Sequence, residues 1–343
     1  MSAMFDAVQA GNRQPLWQAF GKTFATNISV TDGLNEINGD FEILKMPQYG
    51  MLERDGKRIA VRAPNKFTLF GDTPDGMKYY GTCSDSYQLM QRRDIARVLD
   101  DLTLRWPLET IGLVNNGKTM VVVLNAGEME INGDPIILYF MAIDTVNGGT
   151  SMKLPFTPIR LHCTNALVSS VRHSVVTAKF EHRTKYVYNV ENSIKLTKQM
   201  ADVQIRTIQN FQYMADRILT PEQAMRIFKA AYPDPKRSQK IGILDIVDKD
   251  DEEFSDIREA GEQALKTFEY YKNRTEELRE TAFSLFEKIS DEYPNIGGTA
   301  YAAYNAVVEL ADWRSDGENA AIDALFGLKA NEKRRAFELA MKG

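Results

Sequence analysis

The feature that most constrains this chain is a change of pattern near residue 186. From Tyr186 to Thr220 there is neither Gly nor Pro. Val190, Ile194, Thr197, Ala201, Ile205 and Ile208 recur there at spacings of three and four, which predicts one long helix. Upstream the chain is punctuated by turns: Pro74-Asp75-Gly76, Asn115-Asn116-Gly117 and Ile131-Asn132-Gly133-Asp134. Asn-Gly between apolar runs is the strongest short hairpin signal. The runs between these turns predict strands over Phe41–Met46, Arg58–Ala63, Phe67–Gly71, Gly76–Cys83, Thr110–Val114, Thr119–Asn125 and Ile136–Ile143. Pro64 and Asn65 divide the second from the third. The last run is apolar almost throughout, as expected of a central strand buried on both faces. Between the fourth and fifth, residues 84–102 predict a helix capped by Ser84 or Asp85, with Leu89, Ile95, Val98, Leu99 and Leu102 inward.

The expected architecture is α+β. Residues 1–185 form a mixed domain with an antiparallel β-meander packed on helices, and residues 186–343 form a mostly helical region. In that region Thr220-Pro221-Glu222-Gln223 reads as a capping box, and Pro233 and Pro235 end the helix it starts. The acidic residues 245–256 read as a solvated linker. Helical spacing resumes from Ile257 to Glu292, is interrupted by Pro294 and Gly297-Gly298, and continues through two or three helices over Thr299–Lys342.

At 343 residues, with 43% hydrophobic and 26% charged, the chain has room for about two domains, and wholesale disorder is excluded. No run of 18 apolar residues spans a bilayer, and the first residues lack a charged-then-apolar leader, so a cytoplasmic location without membrane contact is expected. The two cysteines, Cys83 and Cys163, make neither a disulfide framework nor a four-cysteine zinc site. GxxxxGK[ST], HExxH, CxxC and GxSxG are all absent from the sequence. Gly148-Gly149 reads as a turn. Cys163 and His162 are neighbours that point to opposite faces of a strand, so they form no dyad there. No metal, cofactor or catalytic set is expected.

Charge is more informative when divided. The chain carries 42 basic and 47 acidic residues, net −5; residues 1–190 are net +1 and residues 191–343 net −6. Without a global basic excess, any anion site must be local. Residues 151–198 hold eight basic side chains, including Lys153, Arg160, Arg172, Lys179, Arg183 and Lys185, against Glu181 and Glu191. All three histidines, His162, His173 and His182, fall in the same window. Phe180, Tyr186 and Tyr188 alternate with the cations. Single-strand binders combine cations for the backbone with ring faces for bases, at about 1–3 kcal/mol per stacked base. The same alternation also fits a hairpin with its rings inward and its charges solvated. Arg92-Arg93 with Arg97 is a second basic candidate, although Asp94, Asp100 and Asp101 lie close enough to make it a solvated, self-paired helix face. Aromatics at 268–271 and 301–304 follow core spacing.

Two segments carry a resemblance. PFTPIRLHCTNALVSSV at 155–171 places Arg160, Cys163, Asn165 and Leu167 in a strand-to-helix turn. GTAYAAYNAVVELADW at 298–313, followed by LFGLKANEKRRAFELA at 325–340, supplies Asn305, Ala306, Val307, Glu309 and Asp312. With Trp17-Gln18-Ala19-Phe20-Gly21 near the start, these resemble the phage/plasmid-like protein family, also catalogued as domain of unknown function 932. The family usually has His after that Asp and after the opening Trp; this chain has Trp313 and Gln18. The resemblance implies a phage- or plasmid-encoded protein acting in the host cytoplasm, with single-strand DNA handling in replication or recombination as the leading idea. It also implies structural roles for Cys163, Asn165, Asn305 and Asp312.

The expectation is therefore a non-catalytic single-stranded DNA-binding or annealing protein. Its track would be formed by Lys153, Arg160, Arg172, His173, Lys179, Arg183, Lys185, Tyr186 and Tyr188. The alternative is a protein-interaction module, such as a host-defence inhibitor or an oligomeric scaffold; a nucleic-acid-modifying enzyme ranks last, because no constellation of residues supports it. A homo-oligomer, dimer or ring, is expected because Met200, Val203, Phe211, Tyr213 and Met214 stay apolar off the 190–208 stripe.

Overall fold

The computed structural model describes residues 21–147, 152–160, 177–180, 190–244, 255–314, 323 and 327–342. Turn chemistry sets the order of its strands. Strand β1 (Gly21–Thr23) precedes α1 (Val30–Glu36), whose N-cap Ser29 accepts the Asp32 N–H. Strands β2 (Ile43–Arg54), β3 (Lys57–Thr73) and β4 (Gly76–Ser84) form an antiparallel three-stranded sheet in sequence order. Pro64 does not break β3. Between Pro47 and Tyr49 the β2–β3 register slips, and Asn65 takes a φ of 54°. A bulge tolerates both the left-handed residue and the missing N–H of proline.

Helix α2 (Arg92–Thr103) begins well after the expected Ser84 or Asp85 cap. Its N-cap is Gln91, whose side-chain amide instead clasps β2, accepting from the Ile43 N–H and donating to the Ile43 carbonyl at 3.0 and 2.9 Å. The second sheet contains β5 (Leu108–Val114), β6 (Thr119–Ile131), β7 (Asp134–Thr145), β8 (Met152–Arg160) and β9 (Thr177–Phe180), in the order β1-β5-β6-β7-β8-β9. All its pairings are antiparallel. β7 lies inside the sheet and is buried along almost its whole length, as its continuous apolar run predicts.

The described part of the helical half comprises α3 (Val190–Ala215), α4 (Pro221–Ala231), α5 (Gln239–Ile243), α6 (Ser255–Glu292), α7 (Ala300–Trp313) and α8 (Leu328–Met341). The capping box at Thr220 and Gln223 forms as its spacing predicts. Helices α1 and α2 cover the large sheet, with Val30, Leu34, Ile95 and Leu99 in one core with Phe140 of β7. A second core joins α3, α4, α6, α7 and α8, and Ile131 and Ile136 from the β6–β7 hairpin enter it. Tyr301 on α7 donates to the buried Asp134 carboxylate at the same junction. Phe211 and Met214 are 4% and 0% exposed in this core. They are therefore intramolecular packing residues, and they remove part of the expected oligomer face. Tyr213 remains 47% exposed.

Candidate nucleic-acid interface

Of the predicted basic track, the structure positions the backbone of three residues. Lys153 on β8 stands opposite Lys179 on β9, and Arg160 at the end of β8 stands opposite Ile136 on β7. β9 is the outer strand of the sheet as described. Like charges at directly opposed register positions are destabilising unless a counter-charge meets them. Arg172, His173, Arg183, Lys185, Tyr186 and Tyr188 lie outside the described residues, as do Cys163 and Asn165.

A second basic feature is the outer part of the β2–β3 hairpin, where the sequence reading predicts no continuous ribbon. β4 pairs with β3 only over Lys66–Thr73. From Tyr49↔Arg62 to Arg54↔Lys57, β2 and β3 are each other's only strand partners among the described residues. Six such pairs span about 20 Å at about 3.4 Å per residue. The ribbon turns at Asp55-Gly56, with φ of 52° and 68°, the two positive values of a type I′ turn. Asp-Gly between alternating residues is the signal that marks it in the sequence. Its cations are Arg54, Lys57, Arg58 and Arg62, against Glu53 and Asp55. Tyr49, Met51, Leu52, Ile59 and Val61 are all exposed beside them.

The cluster expected at Arg92, Arg93 and Arg97 does not form one basic surface. Arg92 is 1% exposed. Its guanidinium lies 4.2 Å from the Phe41 ring centroid and donates to the carbonyls of Gly39 and Gly117. Burial pulls its pKa down, opposed by nearby Tyr80 and Asp144. Arg92 thus pins the loop after α1 and the β5–β6 turn to α2 and is not a surface cation. Arg97 stays on the surface beside Asp94, at 3.9 Å.

In the helical half, the motif residues Asn305 and Asp312 lie on α7 and are both buried. Asp312 forms a buried ion pair with Lys333 of α8, and Arg314 pairs with Glu332 nearby. Burial raises the Asp312 carboxyl to about 6, the cations Lys333, Lys329 and Arg314 opposing it. The same burial lowers Lys333 and Lys329 and raises Glu332. Among the described residues, one oxygen of Asp312, the Asn305 amide nitrogen and the Tyr232 hydroxyl find no hydrogen-bond partner. The Lys333 side chain is 0% and the Asp312 side chain 1% exposed, so the pair fastens α7 to α8 out of reach of a solute. The sequence motif contains Asp312 but nothing that pairs it with Lys333.

No group of three or more potential metal ligands occurs among the described residues, and no described helix is long and apolar enough to cross a membrane. In comparisons with known proteins, a family model described as "Domain of unknown function (DUF932)" matches residues 79–321. That span includes Arg160, Cys163, Asn165, Asn305 and Asp312, and excludes the Trp17–Gly21 segment. Neither a curated protein nor a solved structure matches the chain.

Proposed function

The chain belongs to the DUF932 family, and from that premise we propose that it is a non-catalytic single-stranded DNA-binding protein that coats or anneals strands as a homo-oligomer. A phage or plasmid replication or recombination module is the setting this reading implies. The observation that carries it is the Lys153–Lys179 opposition at the outer edge of the large sheet. Two cations facing each other across a strand pair are relieved by a phosphate between them. The sequence around them supports a longer track, with six positive charges in excess over residues 151–198 and three aromatic residues interleaved.

The test is anisotropy of a labelled oligodeoxythymidine titrated with the protein across a salt series, with a duplex of equal length alongside. The reading predicts preference for the single strand and affinity that falls with salt, at a log–log slope of about −0.7 per phosphate contact. No binding at low salt would overturn it. A second reading, a protein-interaction module, is favoured by the exposed apolar side chains of the β2–β3 ribbon.

A further inference from the structure

Every residue of the outer β2–β3 ribbon, from Tyr49 to Arg62, is exposed. Neither face is covered by the described residues, and a lone two-stranded ribbon is marginal in water. Residues facing each other in an antiparallel pair share a face, and faces alternate along the strand. One face therefore carries Val61, Leu52 and Ile59, and ends at Arg54 opposite Lys57. The other carries Tyr49 opposite Arg62, then Met51, and ends at Glu53 opposite Arg58. Each face thus joins apolar side chains to two cations. In a chain of net −5, residues 49–62 hold four cations and two anions. Among the described residues, only Arg54 of the four has a carboxylate in ion-pair range, Asp55 at 3.8 Å.

Two-sidedness, charge and size narrow the occupant. A flat surface, of a protein or a bilayer, covers one face of a ribbon and leaves the apolar side chains of the other in water. A groove encloses both. Cations stand on both faces, so the walls of that groove should both be anionic, as the two phosphate backbones of duplex DNA are. A β-layer with its side chains is about 10 Å thick. The major groove of B-form DNA is about 12 Å wide and admits a two-stranded ribbon, whereas the minor groove is about 6 Å wide. The ribbon's six pairs extend about 20 Å, the length of about six base pairs at 3.4 Å each.

We propose that the β2–β3 ribbon is an arm that enters the major groove of duplex DNA with one face toward each phosphate backbone. Arg54 and Lys57 meet phosphates on one wall, and Arg58 and Arg62 on the other. The aliphatic side chains between them exclude water from the groove and reach thymine methyl groups at the base edges. This goes beyond the single-strand reading, with a different ligand on a different surface. Annealing ends in a duplex, so such an arm is compatible with that reading without resting on it. The A-form major groove of duplex RNA is too deep and narrow for side chains to read, so the arm selects DNA.

Anisotropy of three labelled probes across a salt series tests this: a DNA duplex, an RNA duplex of equal length and oligodeoxythymidine. Lys57→Ala/Arg58→Ala removes one cation from each face, and Leu52→Thr/Ile59→Thr removes aliphatic surface while keeping strand propensity. The parent is expected to bind the DNA duplex in a salt-dependent way and more tightly than the RNA duplex. The cation variant should lose about 1.8 from the magnitude of the log–log slope for duplex DNA, at about 0.9 per phosphate contact. The aliphatic variant should bind duplex DNA more weakly at an unchanged slope. Both should keep the parent's circular dichroism spectrum and its oligodeoxythymidine binding. A parent that fails to bind duplex DNA at low salt, or binds both duplexes alike, overturns the proposal, as does a cation variant that binds duplex DNA like the parent. Equal loss of duplex and single-strand binding in the cation variant overturns the arm as a separate site. An aliphatic variant with altered sedimentation but intact duplex binding assigns the ribbon to a second copy and overturns the proposal too. A parent that binds duplex DNA but not oligodeoxythymidine sinks the single-strand reading and leaves this one standing.

Discussion

Asp312 shows how much one residue's surroundings decide. Its carboxylate is buried against Lys333, with one oxygen unpartnered among the described residues. Removing one member of a buried ion pair leaves the other charge uncompensated, at a cost of about 3–5 kcal/mol. Asp312→Ala should lower stability by that amount in a chemical denaturation series. The pH dependence follows from the raised pKa. The folded state holds this proton up to about pH 6, whereas an ordinary Asp releases it near 3.8. In that interval the folded state binds more protons than the unfolded one, so this group's contribution to stability is present below 3.8 and lost as pH rises through about 6. Denaturation midpoints measured across that window should show the loss in the parent and a flatter profile in Asp312→Asn. The motif around 305–312 draws attention to Asp312 in the sequence, but its meaning is not legible there: residues 312 and 333 sit on separate helices, and no spacing rule couples them. Arg92 makes the same point, since beside Arg93 and Arg97 in sequence it looks like surface charge.

At the level of elements, what is legible is what turns and caps dictate locally. Thr220, Pro221 and Gln223 specify a helix start from three neighbouring positions, and the capping box forms. Thr220→Ala should cost about 0.5–2 kcal/mol in denaturation. The β5–β6–β7 meander follows from its Asn-Gly turns in the same way. The start of α2 is not legible, because Gln91 spends its amide on β2, a contact from far along the chain. The ribbon lies between these cases. Its Asp55-Gly56 turn is written in the sequence, yet Pro64-Asn65 reads as a break, since a bulge that absorbs a proline depends on the partner strand. Gly56 has a φ of 68°, and a β-branched residue there is strained. Gly56→Val should therefore speed hydrogen exchange over residues 49–62 while leaving the thermal midpoint close to the parent's, because the ribbon's outer part has little share in either large core.

For the whole molecule, the division into an α+β half and a helical half is readable from the loss of Gly and Pro after Tyr186. The junction is not, because Ile131, Asp134 and Ile136 from a hairpin tip meet α7 and its neighbours only through the tertiary fold. The proposed nucleic-acid interface has the same character: residues 153 and 179 are 26 positions apart, and only sheet register sets them face to face. The most direct test of the function is the salt dependence of oligodeoxythymidine binding by Lys153→Ala/Lys179→Ala beside the parent. If both lysines meet phosphate, the double variant should bind more weakly at low salt, and the magnitude of its log–log salt slope should fall by about 1.4, at about 0.7 per lost contact, with the thermal midpoint maintained. A double variant that binds like the parent at every salt concentration would contradict the account.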